Sequence, residues 1–382
     1  IFHDRAFILQ GKLPPEELYR ITGQPASPGY SLPNLMRWKD EEPDLYRRTC
    51  RFLPWSDFVT CMLTGSRNVN YSQAARTLLF DKNSNCYSQR IADAAEFDLD
   101  KLPAPVPSGM NCGRIRPRVG RQLGLAEEVE VISGSHDQCA ATIGAGVSRL
   151  DSAMLGLGTY ACMVLVSDSR QDDSLPARMH LNLEPHAVDS QYVSFLYHGS
   201  GGSLVKWFRN EMFRDFRGGK AYRRMDAAID PDRISPAVLP YWEDSGLPEC
   251  VAGGHGVIAG LSLSHSRADM LKGAMEGCIF YFKSALEKFH TEAGQIRQLQ
   301  LSGGGSESAV WCQMVADILD MPVCRPAIRE CGTLGAAIIA GAGSGVFASI
   351  GEAVGAMVQT DTTFVPDPKR KCQYDQAYDA YC

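Results

Sequence analysis

Residues 301–323 read L-S-G-G-G-S-E-S-A-V-W-C-Q-M-V-A-D-I-L-D-M-P-V. The preceding residues, Arg297 to Leu301, are predicted to form a strand that ends in Ser302-Gly303-Gly304-Gly305-Ser306. A helix should follow to about Leu319, then a brief strand around Val323. A strand that opens through a glycine turn into a helix is the building unit of α/β folds. Such turns expose backbone N–H groups beside a helix N-terminus, and both attract anions.

The pattern recurs upstream. Tyr192 to Tyr197 reads as a strand leading through Gly199-Ser200-Gly201-Gly202 into a helix with Lys206, Trp207 and Phe208. Ala153 to Leu157 and Ala161 to Val166 read as a hairpin turning at Gly158-Thr159. Val129 to Ile132 is a short strand that turns through Ser133-Gly134-Ser135 into a helix from Gln138 to about Gly146. The longest helix should span about His265 to His290, because Ala268, Leu271, Met275, Cys278, Phe282, Leu286 and Phe289 recur every three or four residues. A Gly/Ala-rich helix and a final helix from Ser349 to Val358 close the chain.

Leu13 to Glu127 is mostly helical by the same criteria. Pro14 and Pro15 open a helix that stops at Gly23. Others cover Leu35 to Lys39 and Trp55 to Leu63, the latter ending at Thr64-Gly65. Ser72 is expected to cap a helix carrying Ala74, Ala75, Leu78 and Leu79. Lys101 to Gly109, with prolines at 103, 105 and 107, is an extended connector. A domain boundary is expected near Val147 to Asp151, giving domains 1–147 and 148–382.

The 382 residues carry a net charge of -6 with both signs interspersed, which excludes the electrostatic footprint of a nucleic-acid binder. Thirteen scattered cysteines without a C-x-x-C pair read as reduced core thiols of a cytoplasmic protein, not as a zinc or disulfide framework. The longest apolar stretch, Gly332 to Phe347, is interrupted by four glycines and suits helix packing, so no membrane partner is expected.

None of the glycine turns matches a P-loop or a dinucleotide fingerprint. Singly, each is most simply a turn. Ser133-Gly134-Ser135-His136-Asp137-Gln138 places a carboxylate and an amide at the mouth of a helix. Asp137 there is either an N-cap or a general base that takes a hydroxyl proton, with Gln138 bonding a neighbouring hydroxyl.

The order of these pieces resembles one family. G-S-H-D-Q-C-A-A-T-I-G-A-G-V (134–147), G-L-G-T-Y (156–160), G-G-S-L-V-K-W-F-R (201–209), the 301–323 stretch and C-G-T-L-G-A-A (331–337) are similar to the FGGY carbohydrate kinases, and to their xylulokinase-like members most. The resemblance implies two ribonuclease-H-like domains of the actin-like ATPase superfamily with an interdomain active-site cleft. It implies transfer of the ATP γ-phosphate, with Mg²⁺, to a hydroxyl of a sugar, ketose or polyol, a xylulose-like pentulose being favoured. By the same resemblance Asp137 is the catalytic base, and Gln138 and His136 bind substrate. Gly158, Thr159, Gly202, Lys206, Gly304 and Ser308 bind nucleotide; Ser308 stands where some members carry Asn. No metal-ligating side chain is assigned.

Family members begin with a strand and a D-x-G-T-type turn that holds the phosphates. The chain resembles a member without that first part, and its C-terminal run Tyr374 to Tyr381 also reads as cut, so little turnover is expected of this chain alone. A non-catalytic nucleotide-binding relative and an actin- or chaperone-like ATPase are the alternative readings. Tyr30, Trp55, Asp57, Arg76 and His136 are the polar and aromatic residues that could line a sugar pocket. Oligomeric state is not legible, and a homodimer stays open.

Overall fold

Gln298–Ser302 lies inside a seven-stranded sheet in the computed structural model of the chain. The structure describes residues 9, 11–126, 128–147, 149–168, 174–244, 253–293 and 296–382; Ser148, at the expected domain boundary, lies outside them. Across the sheet the strands are Thr360–Phe364, Val323–Pro326, Gln298–Ser302, Ser152–Leu157, Ala161–Ser167, Tyr192–His198 and Glu184–Pro185. Gln298–Ser302 runs parallel to both its neighbours, with Leu299 opposite Val323 and Leu301 opposite Leu155. All four of those side chains are fully buried. Gln300 and Ser302, on the opposite face, are buried too, so this strand is covered on both faces although its sequence alternates.

The chain forms two compact units. One comprises Ile1–Gly144, Ser167–Ser194 and Gly332–Met357; the other comprises Ala145–Val166, Phe195–Cys331 and Val358–Cys382.

In the first unit the expected helices form at Pro15–Thr22, Ser31–Glu41 and Trp55–Thr64. Gly23 and Gly65 end two of them at φ of 67° and 93°, the left-handed conformation that only glycine adopts without strain. One expectation is corrected. The helix after residue 70 is only Tyr71–Ala75, and its cap is Asn70, whose Oδ1 accepts from Gln73 N at 3.0 Å. Asn70 stands in the extended conformation a cap requires, and the Ser72 hydroxyl is engaged elsewhere. Leu78 turns to φ 63°, so Leu78 and Leu79 reach the core from a loop. The proline connector contributes a strand, Ala104–Val106, parallel to Asn68–Asn70.

In the second unit the long helix is Arg267–Ala293. Every residue from Leu271 to Phe282 is buried, which one apolar stripe does not account for. The periodicity left two covering elements unseen: the paired strands Ala237–Leu239 and Val257–Ala259, and a C-terminal helix, Lys371–Tyr381. A Cβ added at Gly273 or Gly277 would fall 2.4 Å from Pro236 O or 2.3 Å from Val238 O, so glycine is what lets the strand lie on the helix. Lys272 and Glu276, enclosed on the covered face, pair at 2.7 Å.

Every described cysteine is a free thiol. Among the described residues no helix is long and apolar enough to cross a membrane.

Candidate active site

Asp137 is the first residue of the helix Asp137–Gly144 and follows the strand Glu130–Ile132. Its side chain is 80% exposed. Asp137 stands inside the helix, while the residue just before it, His136, accepts the first helical bond from Ala140 N at 3.0 Å, so the capping position weighed for Asp137 is not the one it occupies. Gln138 is half-buried, and its carbonyl accepts from Thr142 Oγ1 at 2.7 Å.

The position of Asp137 is set from both sides. Upstream, the His136 backbone N–H donates to Ser72 Oγ at 2.7 Å, and Ser72 donates to Asn70 Oδ1 at 2.6 Å. Downstream, Gly335 packs so closely on the helix that an added Cβ would fall 1.7 Å from Ala140 O. The Gly/Ala-rich composition of Cys331–Gly343 is therefore a packing requirement at this point.

A buried charge network stands behind Asp137. His136 Nε2 is 3.2 Å from Asp137 Oδ1, and His136 Nδ1 is 3.0 Å from Glu184 Oε1. Glu184 is completely buried, and its Oε2 lies 3.5 Å from an Arg76 guanidinium nitrogen. Arg76 in turn lies 5.2 Å over the Tyr30 ring. Burial works against a charged His136, but the Glu184 charge and hydrogen bond, helped by Asp137, outweigh it and hold the imidazole above its ordinary pKa. Cys139 gives its thiol hydrogen to Glu184 at 3.5 Å; burial first, then that carboxylate, pushes the thiol well above its usual range.

Four of the residues singled out in the sequence, Tyr30, Arg76, His136 and Asp137, are thus joined in space. The residue that joins them, Glu184, was missed. Its one signal was an acid set directly in the apolar run Leu181-Asn182-Leu183-Glu184-Pro185. Trp55 and Asp57 stand apart from the network. Trp55 is 79% exposed and stacks on Phe58. Asp57 is buried, and desolvation pushes its carboxyl up to about 6 despite a hydrogen bond from Ser56.

The three glycine turns meet in the second unit. Gly202 N donates to Gly158 O at 2.7 Å and Ser203 N to Thr159 O at 3.0 Å. A Cβ at Gly201 would lie 2.8 Å from Ala161 N, and one at Gly202 would lie 2.8 Å from Gly158 O. Gly303, at φ 79°, lies so close to Gly158 that a Cβ there would be 3.0 Å from its N. Thr159 and Lys206 are exposed on these turns, and at Gly304 an added Cβ would meet nothing within 4 Å. Ser308 plays a structural part, since its Oγ caps the helix Ala309–Leu319 by accepting from Trp311 N at 3.1 Å. Burial raises the carboxyl of Asp226, with the Ser308 hydroxyl partly opposing the shift.

Residues 6–144 match the family model for the N-terminal domain of the FGGY family of carbohydrate kinases, and residues 153–344 match that for its C-terminal domain. Xylulose kinase of Staphylococcus epidermidis is 27% identical over 373 residues, covering 96% of this chain and 73% of that protein. Autoinducer-2 kinase of Salmonella paratyphi B is 26% identical over 378 residues, covering 95% and 70%. Among solved structures, xylulose kinase from Rhodospirillum rubrum superposes with a TM-score of 0.87 at 23% identity, over 100% of this chain and 76% of that one. Gluconate kinase from Lactobacillus acidophilus gives 0.89 at 21%, over 100% and 76%. These likenesses establish the two-domain actin-like ATPase fold.

Proposed function

This chain belongs to the FGGY family of carbohydrate kinases, phosphotransferases with an alcohol group as acceptor, and on that premise we propose that it moves the γ-phosphate of ATP to a hydroxyl of a small sugar or polyol. A xylulose-like ketopentose is the favoured acceptor, since the curated relatives include xylulose kinases matched along 96% of the chain. In sequence, residues 1–147 would serve as the N-terminal family domain and 148–382 as the C-terminal, nucleotide-binding one.

The observation that carries the reading is Asp137: an exposed carboxylate at the start of a helix, held by Ser72 behind and Gly335 beneath. Such a group accepts a hydroxyl proton as the hydroxyl oxygen attacks phosphorus. A carboxylate suffices because phosphoryl transfer needs positioning and charge stabilisation more than strong basicity. His136 and Gln138 flank it as hydrogen-bonding partners for the acceptor's other hydroxyls.

The residues of the second unit fit a nucleoside triphosphate. Exposed Thr159 and Lys206 offer a hydroxyl and a cation to phosphate oxygens, and the open face at Gly304 admits a ligand against bare backbone. ATP with Mg²⁺ supplies the transferable phosphoryl group and neutralises its charge. Ser308 would contribute through its neighbours, because its hydroxyl already caps a helix.

The test is coupled ADP release by the full-length gene product against a panel of ketopentoses, deoxysugars, aldonates and polyols, with Asp137→Asn alongside. A substrate that raises turnover above the ATPase background, and loses about 10²–10⁴-fold in the variant, supports the assignment. An unimpaired variant would remove Asp137 from the chemistry. Silence across the panel, with ATP still bound, would favour a non-catalytic relative.

A further inference from the structure

We propose that His136, Cys139 and Glu184 form a binding site for a zinc ion, directly behind the Asp137 carboxylate. His136 immediately precedes the helix Asp137–Gly144, and Cys139 is that helix's third residue. Glu184 approaches them from a separate strand, Glu184–Pro185. One ligand atom from each, an imidazole nitrogen, the sulfur and a carboxylate oxygen, fall within 4.8 Å of one another.

The separations would have to adjust by a few tenths of an ångström or more to close on the ion, with the His136 and Cys139 ligand atoms within 4.8 Å of each other. Bonds of about 2.0–2.3 Å in a tetrahedron place neighbouring ligand atoms roughly 3.3–3.7 Å apart. Here His136 Nδ1 and Glu184 Oε1 are 3.0 Å apart, and Cys139 Sγ and Glu184 Oε1 are 3.5 Å apart. The donor set of one nitrogen, one sulfur and one oxygen selects zinc over magnesium or calcium, which take oxygen alone. Three protein ligands leave one position for solvent.

Cys139 and Glu184 are both fully buried, and Glu184 Oε2 accepts no hydrogen bond from any described residue, with an Arg76 nitrogen 3.5 Å away. A buried carboxylate with an unsatisfied oxygen is costly, and an ion bound there would offset that cost. Arg76 on the carboxylate and the Pro185 carbonyl beside Cys139 supply the outer contacts that hold metal ligands in orientation.

The inference does not rest on the kinase reading, and its test has no catalytic readout. The full chain, freed of metal, is titrated with Zn²⁺ against a chromophoric chelator, and X-ray absorption at the zinc edge reads the ligands. One ion per chain is expected, with a shell of one sulfur and otherwise nitrogen or oxygen. Cys139→Ser and Glu184→Gln should each weaken binding by at least about 100-fold, the upper end of what changes outside the first ligand sphere cost. Cys86→Ser, an exposed thiol of the same unit, should leave it unchanged. Circular dichroism checks each variant's fold. If Glu184→Gln does not fold, Cys139→Ser and the X-ray shell decide. No retained zinc, unchanged affinity in Cys139→Ser, or a shell with two or more sulfurs would overturn the proposal.

Discussion

The Ser72 hydroxyl sits between two backbone-directing bonds: it accepts from His136 N at 2.7 Å and donates to Asn70 Oδ1 at 2.6 Å. A side chain read from the sequence as a helix cap is therefore a tether for the turn that carries Asp137. Ser72→Ala leaves the His136 N–H without its partner, at a cost of about 1–3 kcal/mol. We expect kcat to fall by about tenfold with a smaller change in KM for the acceptor, since the loosened element is the proposed base. Equal losses in both constants, measured by coupled ADP release, would assign Ser72 to substrate binding instead.

Gly335 offers the complementary test from below the helix. Any side chain there must displace Ala140, because its Cβ would overlap the carbonyl oxygen. Gly335→Ala should destabilise the protein by about 2–4 kcal/mol, despite the higher helix propensity of alanine. Denaturant midpoints measure this; a stabilised variant would show that the two helices can part freely.

Gly202→Ala probes the other unit. Its Cβ would press to 2.8 Å from Gly158 O and spread the contact between two of the glycine turns. ATP affinity, by calorimetry or nucleotide fluorescence, should weaken at least about tenfold, the scale of 1–3 kcal/mol of overpacking strain. Acceptor affinity should change little. Unaltered ATP binding would detach these turns from the nucleotide.

Two buried groups of the first unit titrate with opposite effects on stability. Asp57 rises to about 6 on folding, from about 3.9 in an unfolded chain. The folded state holds that proton more tightly, so stability is greatest below about pH 4 and declines as pH climbs through 6, by about 3 kcal/mol. Asp57→Asn should therefore be the more stable protein at pH 7.5, with the advantage gone near pH 4. His186 is fully enclosed, neither ring nitrogen has a hydrogen-bond partner among the described residues, and burial lowers it to about 4. Its contribution is present above about pH 6.5 and is lost as pH falls through 4, again by about 3 kcal/mol. His186→Leu should flatten that acid limb. Urea midpoints across pH 4–8 separate the two, and slopes unchanged in both variants would refute the assignment.

The sequence carried the repetitive part of this architecture well. Glycines at Gly158, Gly201–Gly202 and Gly303–Gly305 announced turns, and β-branched or 3.6-periodic runs announced what flanked them. Asp137 and His136 were legible because a distinctive turn contains both. Glu184 was not, since an isolated acid before a proline has no periodicity, and what matters about it is a pairing 48 positions from His136. The Asn70 cap was misread because Asn70 and Ser72 both have capping side chains, and only backbone geometry separates them. The covered face of Arg267–Ala293 was hidden for a related reason: its buried Lys272–Glu276 pair looks like a solvated pair until the elements above it are known.

The two units are not consecutive lengths of chain. The backbone passes from one to the other at Ala145, Ser167, Phe195, Gly332 and Val358. During synthesis the helix bearing Asp137 thus emerges roughly two hundred residues before Gly335, the partner it must sit against, so its seat is completed only by a very late, non-local contact. A ribosome paused anywhere between those positions displays a turn complete in its local hydrogen bonds but lacking its floor. Folding of this unit and competence to act would then arrive together, and a chain stopped short of Gly335 should be a client for chaperones or proteases before it could be a partial enzyme.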